Sequence, residues 1–599
     1  MRVADYCFRF LADQGVRHVF VVTGGGAMHL DDALGRESRI TYVCNHHEQA
    51  SAMAAEGYAR VTGTPGVACV TSGPGGINAV NGVFGAFTDS IPMIVLSGQM
   101  KRQTLLATHG LTGKLRQLGD QEVDIVSMVK LVTKSAVLVT DPTRIRYEME
   151  RAWHLCRTGR PGPCWLDIPV DVQAIDIDPD ALPGYTPELI EGAEPPERIA
   201  ELADVVAAKL AAAKRPVILA GTGVRLAGAT ELFREVVKLL GIPVATAWTH
   251  DVIETADPRA CGKAGSIGDR AGNFTVQNAD VVLVIGSRLN IRQVSYNWEN
   301  FAPKAEKIVV DVDIEELRKP MVRPDLPICC DAGVFLAALR DAVGRRGDDP
   351  RKHAGWLAWC RERVASYPVF DPVKQASAPG AINPYHFGHE LFKLLGEDDV
   401  IVCGDATACI VTFQSSVIRS RTRLFSNSGS ASMGYDLPAA IGAAVARGAE
   451  RVICLAGDGS LQMNIQELQT LRHLGLPIKL LVLNNGGYLS IKQTQNAFFG
   501  LAVGSGPESG VTFPDFRAVA AAYRLPASRI DRPDFREELA AVLAAPGPQI
   551  CEIMIDGKQG FEPKLSSKKL PDGKMVTASL EDMAPFLDRD ELKSNMIQS

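Results

Sequence analysis

The sequence predicts an α/β protein made of three doubly wound, parallel-sheet domains. The first observation is a recurrent run of small or β-branched apolar residues: Gly66-Val67-Ala68-Cys69-Val70-Thr71, Pro216-Val217-Ile218-Leu219-Ala220, Asp280-Val281-Val282-Leu283-Val284-Ile285 and Lys479-Leu480-Leu481-Val482-Leu483. Runs apolar on both faces read as strands covered on both sides, the mark of parallel sheets. The second is that Gly-rich turns and Ala-rich helical stretches separate these runs, the alternation of α/β architecture. The third is a pair of stretches with linker composition. Residues 176–198 are rich in Pro, Asp and Glu, and residues 367–383 mix Pro, Gly and Ser without periodicity.

In chain order this gives a first domain over residues 1–175, a central domain over 195–345 and a third domain over 378–557. After about residue 557 the sequence turns polar and ends in an acidic amphipathic stretch, so residues 558–599 are expected to run over the surface as a tail. The first and third domains share a strand–turn–helix style.

A length of 599 residues accommodates several domains, each with an ample core. Apolar residues (46%) and charged residues (22%) are in the ordinary range for a globular protein, which points away from disorder. The net charge of -6, with no basic run, argues against nucleic acid or an anionic membrane as partner. None of the thirteen cysteines forms a Cys-x-x-Cys pair, and most lie in apolar segments. They read as small buried hydrophobes in a reducing compartment. Arg2, Asp5, Arg9 and Asp13 interrupt the N-terminal apolar residues, which fits neither a signal peptide nor a membrane span. A cytoplasmic location is the expectation.

The chemistry is most legible at Val452-Ile453-Cys454-Leu455-Ala456-Gly457-Asp458-Gly459-Ser460. A buried strand ends in Gly-Asp-Gly and leads toward a helix expected over 464–474. The next strand, expected over 478–483, ends in Asn484-Asn485-Gly486-Gly487-Tyr488. Open parallel sheets bind ligands beyond the carboxyl ends of their strands. Two neighbouring strand ends here offer Asp458 and Asn485, one charged and one neutral oxygen ligand. That pair suits Mg²⁺, which keeps waters and takes its remaining ligands from phosphate. Gly457 and Gly459 let backbone N–H groups approach a diphosphate, which the helix dipole favours. Gly-Asp-Gly alone is also a common tight turn; the second motif at the next strand end decides between the readings. The combined pattern resembles the signature of thiamine-diphosphate enzymes.

Thiamine chemistry needs a carboxylate against N1′ of the aminopyrimidine, so that the 4′-nitrogen can take the C2 proton. Asn45-His46-His47-Glu48-Gln49-Ala50 offers one, ahead of a small-residue helix over 50–60. Taken alone, Glu48 would read as a helix-start cap. Its surroundings reverse that. Glu56-Gly57-Tyr58-Ala59-Arg60, Thr71-Ser72-Gly73-Pro74-Gly75-Gly76-Ile77-Asn78 and Asp89-Ser90-Ile91-Pro92 closely match acetohydroxyacid synthase catalytic subunits and their relatives.

This resemblance runs from residue 1 to about 555. It implies a pyrimidine-binding, a central and a diphosphate-binding domain, with Glu48 as activator. It also implies a cofactor held between subunits, hence a homodimer at least, with a homotetramer of two dimers as the expected assembly. Met433, in Ser432-Met433-Gly434-Tyr435, falls where the family places an apolar wedge under the cofactor; ordinary core packing is the bland alternative. The backbone of Gly487 would complete the metal shell. Further cofactor contacts are implied for Pro74, Asn78, Asp405, Ala406, Thr407, Ser460, Tyr488 and Leu489. Gly26, Ala27 and Gln121 match positions near the reacting carbon, and Ile491 joins them in the substrate pocket.

Several departures bear on the substrate. Asp120 replaces the phenylalanine usual before Gln121-Glu122. Thr494 stands where acetohydroxyacid synthases carry a tryptophan, and Val170 where many have a lysine. Gly404-Asp405-Ala406 lacks their Gln-His pair. A smaller, more polar wall implies a bulkier or more hydroxylated acceptor, such as a ketone or keto sugar. Pyruvate is the expected donor. The alternatives within this chemistry are simple decarboxylation to an aldehyde and flavin-linked pyruvate oxidation.

The resemblance also implies FAD, in a structural role, through Arg160, Gly221, Gly223, Arg288, Arg292, Asp311 and Asp331. A nicotinamide dehydrogenase is excluded, because no third glycine follows Gly221-Thr222-Gly223 at the required offset. A non-catalytic binding subunit would have lost Glu48 or Asp458, and both are present.

Overall fold

The computed structural model describes the chain except residues 188–191, 250, 449, 570–574 and 598–599. The first of these gaps lies within the expected linker, and the last two lie within the expected tail.

Three six-stranded, wholly parallel sheets carry the fold. The first contains β1 (His18–Val21), β2 (Thr41–Cys44), β3 (Gly66–Val70), β4 (Met93–Gln99), β5 (Ser135–Leu138) and β6 (Pro163–Pro169), in the order 2-1-3-4-6-5. The second contains β7 (Pro216–Ala220), β8 (Val244–Ala247), β9 (Ala260–Ala264), β10 (Val281–Ile285), β11 (Glu306–Asp311) and β12 (Leu326–Cys329), in the order 12-11-10-7-8-9. The third contains β13 (Val400–Cys403), β14 (Arg423–Phe425), β15 (Val452–Gly457), β16 (Ile478–Asn484), β17 (Ala527–Ile530) and β18 (Gln549–Met554), in the order 14-13-15-16-18-17. Every residue of β3, β4, β6, β7, β10 and β13 is buried, because helices cover both faces of each sheet. Each sheet therefore has two cores; in the first, Phe8, Leu96 and Leu166 pack on one side, and Phe20, Val95 and Trp165 on the other.

The strand orders locate the places where a ligand can enter. In an open parallel sheet the crevice lies where the connections diverge to opposite faces. That point falls between β1 and β3 in the first sheet, between β7 and β10 in the second, and between β13 and β15 in the third.

Helix Glu48–Thr62 of the first domain crosses helix Asp436–Ala446 of the third with backbones in contact. A Cβ on Gly57 would fall on the Ala439 carbonyl, and one on Gly442 on the Ala54 carbonyl, so both crossing positions need glycine. A buried ionic chain ties all three domains beside this crossing. Arg225 and Arg423 both donate to Asp251 (2.7 and 2.9 Å), Arg423 also donates to the Arg60 carbonyl (2.6 Å), and Arg60 pairs with Glu56 and Asp89 (2.6 and 2.7 Å). Burial works against ionisation of Asp251, but the two guanidinium groups outweigh it and hold the carboxyl at about 2.

Three expectations are corrected. The described residues of the expected surface tail, 558–569 and 575–597, do not simply run over the surface: Phe561, Leu580 and Met583 are buried, Asn273 donates to the Leu580 carbonyl (2.8 Å), and Asn278 donates to that of Asn595 (2.9 Å). Widely spaced apolar anchors separated by polar residues hide such a strap from periodicity. The central core also reaches past residue 345, since helix Ala354–Ser366 inserts Trp356 and Cys360, and Trp356 donates to the Pro216 carbonyl (3.0 Å). Finally, the helix expected over 464–474 begins later, at Glu467, and a separate short helix, Asp458–Gln462, precedes it, with Asn464 between them turned back to donate to the Gly434 carbonyl (2.7 Å).

Candidate active site

The first half of the site gathers at the carboxyl ends of β1 to β4. β2 leads through Asn45, His46 and His47 into helix Glu48–Thr62. The His47 ring caps that helix, accepting from the Gln49 N–H (3.1 Å), so Glu48 is not spent as the cap. Its carboxylate accepts from Asn78 Nδ2 (2.9 Å), one turn into the helix that Pro74 opens. Glu48 and Asn78 are thus brought together from two strand ends, with a carboxylate oxygen left over. The Gly26 N–H donates to Thr71 Oγ1 (3.1 Å) and its carbonyl accepts from buried Gln173 (2.7 Å), which fixes the Gly26–Ala27 turn beside β3. Gln121 has φ +61°, a left-handed conformation that a non-glycine residue holds only under constraint. Asp120 and Gln121 are both exposed.

The second half lies at the ends of β13, β15 and β16. The Asp458 carboxylate accepts N–H bonds from Gly459 (2.7 Å), Asn485 (3.2 Å), Gly486 (2.8 Å) and Gly487 (3.1 Å). Burial pushes this carboxyl up to about 6, against the pull of those four donors. Asn485 Oδ1 is buried and accepts no hydrogen bond, an unsatisfied acceptor of the kind that implies a missing partner. A carboxylate, an orphaned amide oxygen and the Gly487 backbone fit a hard cation. Among the described residues no cluster of three or more His, Cys, Asp or Glu could hold a metal, so an ion here would draw most of its shell from amide, water and phosphate oxygens.

The anion side fits as well. Helix Thr407–Ser415 opens at the β13 end, Ala406 sits at its N-cap with φ +49°, and Thr407 Oγ1 is buried without a partner. Ser460 donates to Asp436 (2.5 Å) and accepts from the Gly434 N–H (2.8 Å), which ties the Gly457–Ser460 turn to the half-buried Met433 segment. Gly459 has no room for a Cβ because the Tyr488 ring covers it, and Leu489 is buried at the start of the next helix. Asp405 opposes this arrangement with a second acid, its carboxyl raised by burial and drawn back by Arg292 nearby.

Ile491 and Thr494 share one open face of helix Leu489–Phe499, with Ile491 52% exposed and the Thr494 hydroxyl turned back onto the Ser490 carbonyl (3.0 Å). Both side chains are open to solvent.

The central candidates divide. Gly221 and Gly223 meet Gly286 at the β7–β10 switch point, where the Gly223 N–H donates to the Gly286 carbonyl (2.9 Å). Asp311, at the β11 end, is pushed up to about 6 by burial. Arg160 is held by Asp313 and Glu316 (3.1 and 2.8 Å), and Arg288 lends its carbonyl to Lys319. Asp331 Oδ1 caps helix Ala332–Arg346, and Arg292 lies within electrostatic reach of Asp405 of the third domain.

Supporting residues escaped the sequence reading. Asn45 and His46 of the β2 end are held by Glu467 of the third domain, and Asn81 accepts from Ser432 beside Met433 (2.9 Å). The only sequence signal was that each neighbours a motif residue.

Comparison with known proteins agrees with this geometry. Profiles of the thiamine pyrophosphate enzyme family match the chain in three places: the N-terminal TPP binding domain over residues 1–128, the central domain over 203–339 and the C-terminal TPP binding domain over 404–553. The chain is 32% identical over 576 residues to acetolactate synthase 1, chloroplastic, of Nicotiana tabacum, covering 94% of this chain and 83% of that protein. It is 33% identical over 577 residues to a probable acetolactate synthase large subunit of Methanocaldococcus jannaschii (93% and 92%), and 30% identical over 568 residues to the acetolactate synthase isozyme 1 large subunit of Escherichia coli (94% and 95%). Among the described residues no helix is long and apolar enough to cross a membrane. The chain belongs to the thiamine pyrophosphate enzyme family, as an acetolactate-synthase-like, thiamine-diphosphate-dependent enzyme.

Proposed function

We propose that the protein decarboxylates a 2-keto acid, pyruvate in the first instance, and transfers the acyl carbanion equivalent to a carbonyl acceptor larger or more hydroxylated than a second pyruvate. The observation that carries this reading is the pairing of a lone, Asn78-oriented Glu48 with a separate Asp458, Asn485 and Thr407 cluster whose unsatisfied oxygens await a metal and an anion. Bound thiamine diphosphate supplies the electron sink. Glu48 holds a proton at N1′ of the aminopyrimidine, and Asn78 fixes which carboxylate oxygen faces it. Asp458, Asn485 and the Gly487 backbone hold Mg²⁺; Thr407 and the Gly457–Ser460 turn bind the diphosphate; Met433 supports the ring system. Gly26, Ala27 and Gln121 border the reacting carbon, with Asp120, Ile491 and Thr494 on the acceptor side.

Glu48 hydrogen-bonds within the first domain and Asp458 within the third. This supports a homodimer in which each site takes Glu48 from one subunit and Asp458 from the other; a tetramer of two such dimers and a cytoplasmic location complete the reading. The dinucleotide-type strand order and the Gly221–Gly286 contact support FAD in a structural role at the central crevice, with Arg160, Arg288, Arg292, Asp311 and Asp331 as its further candidate ligands. Flavin absorbance of the purified protein tests that assignment.

The principal test incubates the protein with pyruvate, thiamine diphosphate and Mg²⁺, with and without pyruvate analogues, simple ketones, a 1,2-diketone and a keto sugar. CO₂ release with a two-carbon mass gain on one acceptor is expected. CO₂ release with acetaldehyde alone points to a simple decarboxylase; no CO₂ rejects pyruvate as donor.

A further inference from the structure

Glu467 is fully buried, and the donors that reach its carboxylate among the described residues are neutral. A buried carboxylate without a cation is costly to keep unless several donors converge on it. Three do. Asn45 Nδ2 donates to Oε2 (3.0 Å), the His46 backbone N–H to Oε1 (2.9 Å), and the Thr470 hydroxyl to Oε2 (2.7 Å). The first two come from the first domain, from the connection between β2 and the helix that Glu48 begins. Asn45 is fixed from its other side as well, since its Oδ1 accepts from Ser51 in the first turn of that helix (3.1 Å). This orients the amide so that its N–H₂ group can face only Glu467. Glutamine at 467 would turn an N–H against one of three donors; only a carboxylate accepts from all of them.

We propose that Glu467 is the positioning residue for Glu48: through the Asn45 amide and the His46 peptide, the third domain sets where the activating carboxylate sits. The inference rests on the reading of Glu48 as the proton-holding group, and it adds a residue that touches neither cofactor nor substrate. Its geometry is specific. Glu467 opens the helix Glu467–Leu474, and the segment before it carries Asp458 and then Asn464, which is bonded to the Gly434 carbonyl beside Met433 (2.7 Å). One stretch of third-domain backbone therefore carries the metal carboxylate at one end and the anchor of the Glu48 connection at the other. In a dimer whose sites draw Glu48 and Asp458 from different subunits, this contact mechanically joins one site to the next.

The test reads the proton step without any substrate: deuterium exchange at C2 of thiamine diphosphate bound with Mg²⁺ to the full-length protein, followed by quench and proton NMR. Cofactor affinity is measured alongside. Glu467→Gln is expected to slow exchange about a hundredfold, the size of effect that follows a misplacement of about 1 Å, with cofactor affinity unchanged. Asn45→Ala should slow it similarly, and the double variant should be little slower than either single one, because both cut the same link. Exchange at the wild-type rate in a folded, cofactor-binding Glu467→Gln protein overturns the proposal. So does an equal loss of exchange and of affinity, which would mark a purely structural residue. If Glu467→Gln does not fold, Asn45→Ala decides by the same criteria. A Glu48→Gln protein exchanging at the wild-type rate would instead bring down the reading of Glu48, and the proposal with it.

Discussion

The first and third sheets share one strand order, 2-1-3-4-6-5 within each domain, and meet across a glycine-paved helix crossing, yet their switch points are furnished in opposite ways. The β1–β3 switch point carries one relevant acid, Glu48, held by a single neutral amide. The β13–β15 switch point carries an acid gripped by four backbone N–H groups, beside an amide oxygen and a hydroxyl with no partner. Topology fixes where a ligand can sit; how fully each polar group is satisfied decides what the place can do. A carboxylate with a free oxygen is available for proton transfer. A carboxylate locked in N–H bonds beside orphaned oxygens is arranged for binding.

The sharpest way to break this comparison is to exchange the two losses. Asp458→Ala removes a buried charge ligand worth about 4 kcal/mol, so metal-dependent cofactor affinity should fall about a thousandfold. Titration calorimetry with thiamine diphosphate and Mg²⁺ checks this, and raising Mg²⁺ should restore part of the activity. Glu48→Gln should show the reverse. Turnover falls by about 10²- to 10⁴-fold, the usual worth of a positioned proton-transfer group, while cofactor affinity stays within about threefold and excess Mg²⁺ restores nothing. If both variants lose affinity equally, the division of labour between the sheets is wrong.

Next in size is the joint that holds the two frames in register. Asp251→Asn leaves the partly buried Arg225 and Arg423 around a neutral side chain, which should cost about 3 kcal/mol in equilibrium unfolding. The pH dependence is fixed by sign. The carboxyl of Asp251 is held at about 2, below its ordinary 3.8, so its contribution is complete above 3.8 and is lost as pH falls through about 2. The stability gap between wild type and Asp251→Asn should therefore be constant near neutrality and narrow between pH 4 and pH 2. A gap that widens on acidification would contradict the assignment.

These expectations differ in how far they could be read beforehand. The both-faces-apolar runs announced β3, β7, β10 and β16, because burial on two sides leaves an uninterrupted hydrophobic stretch. Edge strands such as β14 and β17 did not announce themselves: Arg423-Leu424-Phe425 and Ala527-Ser528-Arg529-Ile530 are short and each carries an arginine, Arg423 turned to Asp251 and Arg529 to Glu552. Asp458 and Asn485 were legible because neighbouring strands in this topology bring consecutive motifs together. Glu467 was not. Its partners, Asn45 and His46, lie more than four hundred residues away, and no local pattern separates a cross-domain anchor from an ordinary first-turn glutamate. The anchoring of the C-terminal segment through Leu580 and Met583 was missed for a related reason, since both are isolated anchors in a polar stretch.

The smallest effect expected is also the one that bears most directly on the acceptor. Thr494 lies on the open face of helix Leu489–Phe499, one turn beyond Ile491, and its hydroxyl is spent on the Ser490 carbonyl. A helix whose exposed flank offers a small side chain there leaves room that an indole would fill. Thr494→Trp should leave C2 exchange and cofactor affinity unchanged, since nothing at Glu48 or Asp458 touches it. It should shift the competition between a bulky ketone and a second 2-keto acid by about tenfold toward the smaller acceptor, within the range one steric change in a pocket supplies. Product ratios from a mixture of the two acceptors give this number directly. An unchanged ratio would move the acceptor off this helix face and toward Asp120 and Gln121, on the frame that supplies the proton.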